Sequence, residues 1–134
     1  MCKVHGYCVA GGTDMALCSD LLVIEDNAKI GYPPARVWGV PTTALWAHRV
    51  GPARAKRLLL TGDSLTGTEA AEWGLATEAA PAAELNERFE ALLERIARHT
   101  PEGYAFQQRA AEAGFKEAVR ERDEPFSDFG LPTE

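Results

Sequence analysis

Four consecutive apolar residues, Leu21-Leu22-Val23-Ile24, stand between Asp20 and Glu25 without any polar alternation. An apolar run of strand length is the kind buried on both faces. Upstream, Lys3 to Val9 reads as another strand, because Val4, Tyr7 and Val9 are good strand formers. Between the two lie Ala10-Gly11-Gly12-Thr13-Asp14 and a short helical run, Met15 to Cys18. Strand, glycine turn, helix and buried strand define an α/β domain.

Asn27 to Gly31 gives a turn and a short return strand, and past Pro33-Pro34 the pattern turns helical. Thr43 to Val50 is one helix, closed by Gly51. Pro52 takes the first position of the next, which stops at Gly62. Thr66-Gly67-Thr68-Glu69 has the form of a capping box opening a helix that ends at Gly74. Leu85, Phe89, Leu92, Leu93 and Ile96 make the apolar stripe of a longer helix. A last helix starts near Pro101 and carries Phe115, Ala118 and Val119, and Asp123 to Gly130 reads as irregular. Two or three strands leave an exposed sheet edge, so something else is expected to complete the sheet.

At 134 residues the chain is one domain by length, and 46% apolar with 25% charged residues is a globular composition. A net charge of −6 argues against a nucleic-acid surface. Arg49, Arg54, Lys56 and Arg57 form a local basic strip, read either as a solvated helix face or as a phosphate contact. No apolar run reaches the roughly 18 residues of a membrane span, and the N-terminus lacks the apolar core of a secretory signal. A cytoplasmic location is the default expectation. Cys2, Cys8 and Cys18 match no zinc spacing and read as free thiols, and His5, His48 and His99 show no ligand spacing. No metal site is expected.

The Gly11-Gly12 turn between a strand and a helix is the chemically informative spot. Glycine lets a backbone come close to a ligand and adopt conformations other residues avoid. The first amides of the following helix lack intrahelical partners and sit at the positive end of its dipole. Such a turn suits a phosphate or the oxyanion of a thioester enolate. Neither G-x-G-x-x-G nor G-x-S-x-G is present. Taken alone, the pair is a weak signal, and a tight strand-to-helix turn and nothing more is the readier account of it.

Several pieces stand in order around it. Val4-x-Gly6-x-Cys8-x-Ala10-Gly11-Gly12-x-Asp14-Met15-Ala16-Leu17 is followed by Ser19-Asp20-Leu21, Ala28-Lys29-Ile30-Gly31-x-Pro33 and Trp38-Gly39-Val40-Pro41. Further on come Gly51, Arg54-Ala55, Leu59, Thr61-Gly62, Glu69-Ala70 and Gly74-Leu75. Together these resemble the crotonase signature of the enoyl-CoA hydratase/isomerase family, over roughly residues 4 to 80. The resemblance implies the C-terminal part of a crotonase-like (ClpP/crotonase) β-spiral, with residues 1–81 forming the core with its oxyanion turn and 82–134 a helical segment.

Crotonase-type enzymes bind acyl-CoA thioesters and stabilise an enolate with two backbone amides. The resemblance places one at Gly11; the other comes from an upstream loop that is expected to precede this sequence. Asp14 matches one catalytic acid, a methylene shorter than the usual Glu, and Pro34 falls where the second Glu stands. Hydration uses two carboxylates, so a one-acid reaction such as a double-bond shift is the easier expectation. Asp14 also reads as a first-turn carboxylate favoured by the helix dipole. Gly12, Tyr32, Pro34 and Trp38 are the substrate-binding candidates, although aromatics near a turn are more often packing residues. Arg36 is weighed as a contact for a CoA phosphate or a substrate carboxylate, and a role without either is the readier expectation. Coenzyme A enters as part of the substrate, no cofactor is implied, and a homotrimer or a dimer of trimers is the implied assembly. The alternatives are a non-catalytic acyl-CoA-binding or assembly protein, and an inactive piece of a crotonase.

Overall fold

Gly6 takes φ +61 and divides the expected strand Lys3–Val9 in two, β1 (Cys2–Val4) and β2 (Tyr7–Val9). In this computed structural model, which describes residues 1–99 and 101–123, the two halves enter different sheets. A left-handed glycine re-aims the chain without steric cost, which a pattern of strand-forming residues does not reveal. Helix α1 (Gly11–Leu17) then leads to β3 (Leu22–Glu25) and β4 (Lys29–Gly31).

Beyond a 3₁₀ turn at Pro33–Arg36, α2 (Thr43–Thr61) is two helices meeting at a kink, with Gly51 at φ 77 and ψ 159 and Gly62 as a left-handed C-cap. Both stops agree with the sequence reading. The strands β5 (Ser64–Thr66) and β6 (Glu78–Ala80) were not expected, since three residues are too short to show a periodicity. Between them lies α3 (Gly67–Glu72), and α4 (Leu85–Ala97) follows.

One sheet has the order β1-β3-β6, with both pairings parallel. The other has the order β2-β4-β5, with β2 parallel and β5 antiparallel to β4. As expected, β3 is covered on both faces: Leu22, Val23 and Ile24 are all 0% exposed. Leu22 and Ile24 join the main core with Ile30, Trp46, Leu58 and Leu75. Val23 points the other way, into a smaller cluster with Ala80, Leu85, Phe89 and Leu92. Fully burying a side chain such as Val23 or Leu85 contributes roughly 1.5–3 kcal/mol. Leu85, with Phe89 and Leu92 partly buried beside it, thus makes α4 the second cover of β3, while Leu93 of the expected stripe is exposed.

The first compact unit is Met1–Ile96 and the second Ala97–Glu134, so α4 belongs with the sheets rather than with the last helix, α5 (Pro101–Asp123). Pro101 opens α5 at the position where a missing N–H costs nothing. The side chains of Phe115, Ala118 and Val119, and the tail from 124 to 130, lie outside the described residues. No helix among the described residues is long and apolar enough to cross a membrane.

The expected capping box is formed. The Thr66 N–H donates to Glu69 Oε2 at 2.7 Å, and the Glu69 N–H donates to Thr66 Oγ1 at 3.1 Å. The Thr66 backbone, and then its hydroxyl, hold the Glu69 carboxyl below the usual range. Next to it, Gly67 is buried against the β3–β4 turn, and a Cβ there would land on the Glu25 carbonyl oxygen. Gly67→Ala is expected to destabilise the fold by about 2–3 kcal/mol through overpacking against rigid backbone. A urea denaturation midpoint checks this, and an unchanged midpoint contradicts it.

Candidate functional site: the turn into α1

The backbone leaves β2 through Ala10, which has φ 55 and ψ −127, a conformation that costs a non-glycine residue of order 1–3 kcal/mol. The surroundings hold it there. The Ala10 N–H donates to the Gly31 carbonyl at 3.2 Å, and the Ala10 carbonyl accepts from the amides of Thr13 at 3.0 Å and Asp14 at 3.2 Å. Thr13 is 0% exposed, and its hydroxyl lies 2.6 Å from the Cys8 carbonyl and 2.8 Å from that of Gly31. One hydroxyl proton shared between two carbonyls pins α1 to both β2 and β4. Burial pushes the Cys8 thiol up, with the Thr13 hydrogen bond opposing it. At the other end, Arg49 donates to the carbonyls of Leu17, Ser19 and Asp20, placing a cation at the negative end of α1.

These bonds begin at Thr13, so the amides of Gly11 and Gly12 have no partner among the described residues. Both glycines are exposed, neither has positive φ, and a Cβ at either meets nothing within 4 Å. The strain expected at the glycines therefore sits on Ala10. Within this chain neither conformation nor packing requires glycine at 11 or 12. Their effect is to leave two backbone donors uncovered, the chemistry of an anion or oxyanion site.

Asp14 follows one turn after Gly11, on the same face of the helix. It is partly buried, and its Oδ1 accepts the Thr42 hydroxyl at 2.6 Å and the Thr42 N–H at 3.3 Å. Oδ2 has no partner among the described residues.

The other sequence candidates lie on the segment from β4 to α2. Tyr32 is buried in the main core, with its hydroxyl 3.5 Å from the Val40 carbonyl. Pro34 sits in the 3₁₀ turn, and its carbonyl accepts the amides of Val37 at 3.0 Å, Trp38 at 3.1 Å and Gly39 at 2.8 Å. That knot leaves Trp38 83% exposed. Arg36 is committed to the end of α2, donating to the Thr61 carbonyl at 2.8 Å and to Asp63 Oδ1 at 2.9 Å. The structure thus joins Asp14 to the end of this segment through Thr42, and Ala10 to its start through Gly31. It records no contact of Trp38 or Pro34 with Gly11.

Two residues went unread in the sequence. Thr13 is an ordinary first-turn threonine, with no local sign that it spans two strands. Thr42 stands where a helix cap belongs, but its partner lies 28 residues upstream. No group of three metal-ligating side chains occurs among the described residues. A separate cleft of about 410 Å³, lined by Lys3, His5, Glu25, Ala82, Leu85 and Asn86, contains none of the sequence candidates.

One all-parallel sheet and one mixed sheet, joined through the strand–helix turn at Gly11, make a fold shared with solved enoyl-CoA hydratases. An enoyl-CoA hydratase from Mycobacterium smegmatis superposes with a TM-score of 0.67 at 51% identity, over 96% of this chain and 57% of that one. An enoyl-CoA hydratase from Mycobacterium tuberculosis superposes with a TM-score of 0.74 at 28% identity, over 85% of this chain and 55% of that one. The carnitinyl-CoA dehydratase of Proteus mirabilis is 32% identical over 101 residues, 73% of this chain and 39% of the relative. The chain belongs to the enoyl-CoA hydratase/isomerase family, which it matches over residues 1–124. That match extends well past residue 80, where the motifs legible in the sequence give out. The chain spans about 40% of the length of the first curated relatives it matches, 40% in one and 39% in another.

Proposed function

We propose that the chain handles acyl-CoA thioesters at the start of α1, with the Gly11 N–H as one oxyanion donor and Asp14 as the proton carrier. Removing a proton from the carbon beside the thioester carbonyl moves negative charge onto the carbonyl oxygen. A preorganised amide aimed at that oxygen stabilises the charge as it develops. Asp14, one turn away with Oδ2 unpartnered, takes the proton. Pro34 has no proton to move, so the reading favours a double-bond shift, in which Asp14 returns the proton at a different carbon and no water is consumed. Gly12 completes the open turn, Pro34 and Trp38 are the residues offered to the acyl side, and Tyr32 supports their segment from the core. Residence in the cytoplasm and assembly as a homotrimer or a dimer of trimers belong to the same proposal.

The observation that carries this reading is the pair of solvent-exposed glycines at the start of α1 whose amides have no acceptor among the described residues. A non-catalytic acyl-CoA-binding role is the second reading, favoured by Pro34 in place of the second acid. Calorimetric titration with crotonyl-CoA and with free coenzyme A, followed by absorbance of the enoyl conjugation, tests both. Preferential binding of the thioester with loss or shift of that absorbance is expected. Binding without change supports the second reading, and no binding overturns both.

A further inference from the structure

Thr42 occupies the N-cap of α2 yet makes no capping bond from its side chain. A threonine there ordinarily accepts an amide of its own helix through its hydroxyl. Here the hydroxyl donates across to Asp14 Oδ1 at 2.6 Å, and the backbone N–H of the same residue donates to the same oxygen at 3.3 Å. Both donors fall on one oxygen, which fixes the carboxylate plane and leaves Oδ2 as the atom with lone pairs to offer. Asp14 is only partly buried, and no other side chain among the described residues bonds its carboxylate. Without Thr42 the carboxylate has free rotation about its terminal bonds.

We propose that Thr42 is the positioning residue of Asp14: its hydroxyl holds Oδ1 so that Oδ2 faces the carbon acid of the bound thioester. The inference rests on Asp14 being the proton carrier. A purely structural role, in which Asp14 merely caps α2 through the Thr42 amide, makes a different demand, because it does not involve the hydroxyl.

The test uses the full chain in deuterium oxide, with mass spectrometry following exchange of the α-hydrogens of butyryl-CoA, and thermal unfolding measured alongside. Thr42→Val keeps the branched shape and the amide but removes the hydroxyl. Its maximal exchange rate is expected to fall about 10–100-fold, the scale of a misplaced catalytic group, with KM nearly unchanged. Thr42→Ser is expected to restore most of the rate. Adding Thr42→Val to Asp14→Asn is expected to cost nothing further, since the two act as a unit. Should the valine variant fail to fold, Thr42→Ala against Thr42→Ser makes the same comparison. Wild-type exchange in the valine variant, or a serine variant as slow as valine, overturns the inference while an inactive Asp14→Asn leaves the proton-carrier reading standing. Full exchange in Asp14→Asn, or none in the unsubstituted chain, overturns both.

Discussion

Asp14→Asn is expected to lower turnover of an acyl-CoA substrate by about 10²–10⁴-fold, the range for loss of a general acid–base group. Affinity for the thioester is expected to stay within a factor of about three, because the substitution deletes a step and not a binding contact. The asparagine carbonyl oxygen can still accept from the Thr42 hydroxyl and amide, which meet a single oxygen of Asp14. The side chain is thus kept in place while its second atom becomes an NH₂ that cannot take a proton. A steady-state rate together with a calorimetric dissociation constant separates the two quantities. Unchanged turnover removes Asp14 from the chemistry and leaves it as a first-turn carboxylate beside the start of α2.

Gly11→Val is expected to behave in the opposite manner to Gly67→Ala. At Gly67 a Cβ meets the Glu25 backbone, whereas at Gly11 it meets nothing within 4 Å, and φ there is not positive. The fold is therefore expected to change by less than about 1 kcal/mol, because valine is no worse a helix former than glycine. In the complex, a branched side chain would fill the space where the thioester oxygen approaches the amide. Losing one such donor costs about 3 kcal/mol of transition-state stabilisation, or roughly 10²-fold in rate. Urea denaturation and turnover, measured on the same preparation, give both numbers. Equal losses in stability and in activity would make the glycine pair a structural turn.

Much of this arrangement was legible from residues alone, and the misses have physical causes. The apolar run before Glu25 announced a strand covered twice, and Val23 turned against α4 while Leu22 and Ile24 face the main core. Punctuation by Gly51, Pro52, Gly62 and the Thr66–Glu69 box fixed the helices, because caps act locally and leave their residues in the sequence. Gly6 hid a change of sheet inside a run of strand formers, and β5 and β6 gained their identity only from partners far along the chain. At the site, the glycine turn and its unpartnered first amides were readable, but the place of the strained backbone was not. The strained backbone belongs to Ala10, and the glycines supply uncovered amides. Thr13 and Thr42 act through bonds to strands and helices distant in sequence, which no spacing rule encodes.

The most direct test of the central claim follows the backbone amides of Gly11 and Gly12 by nuclear magnetic resonance as crotonyl-CoA is added to the isotopically labelled chain. The expected result is a saturable downfield shift of the Gly11 amide proton, as it gains an acceptor, with a much smaller response to free coenzyme A. Saturable shifts elsewhere in the chain, with both glycine amides unmoved, would contradict an oxyanion site at this turn.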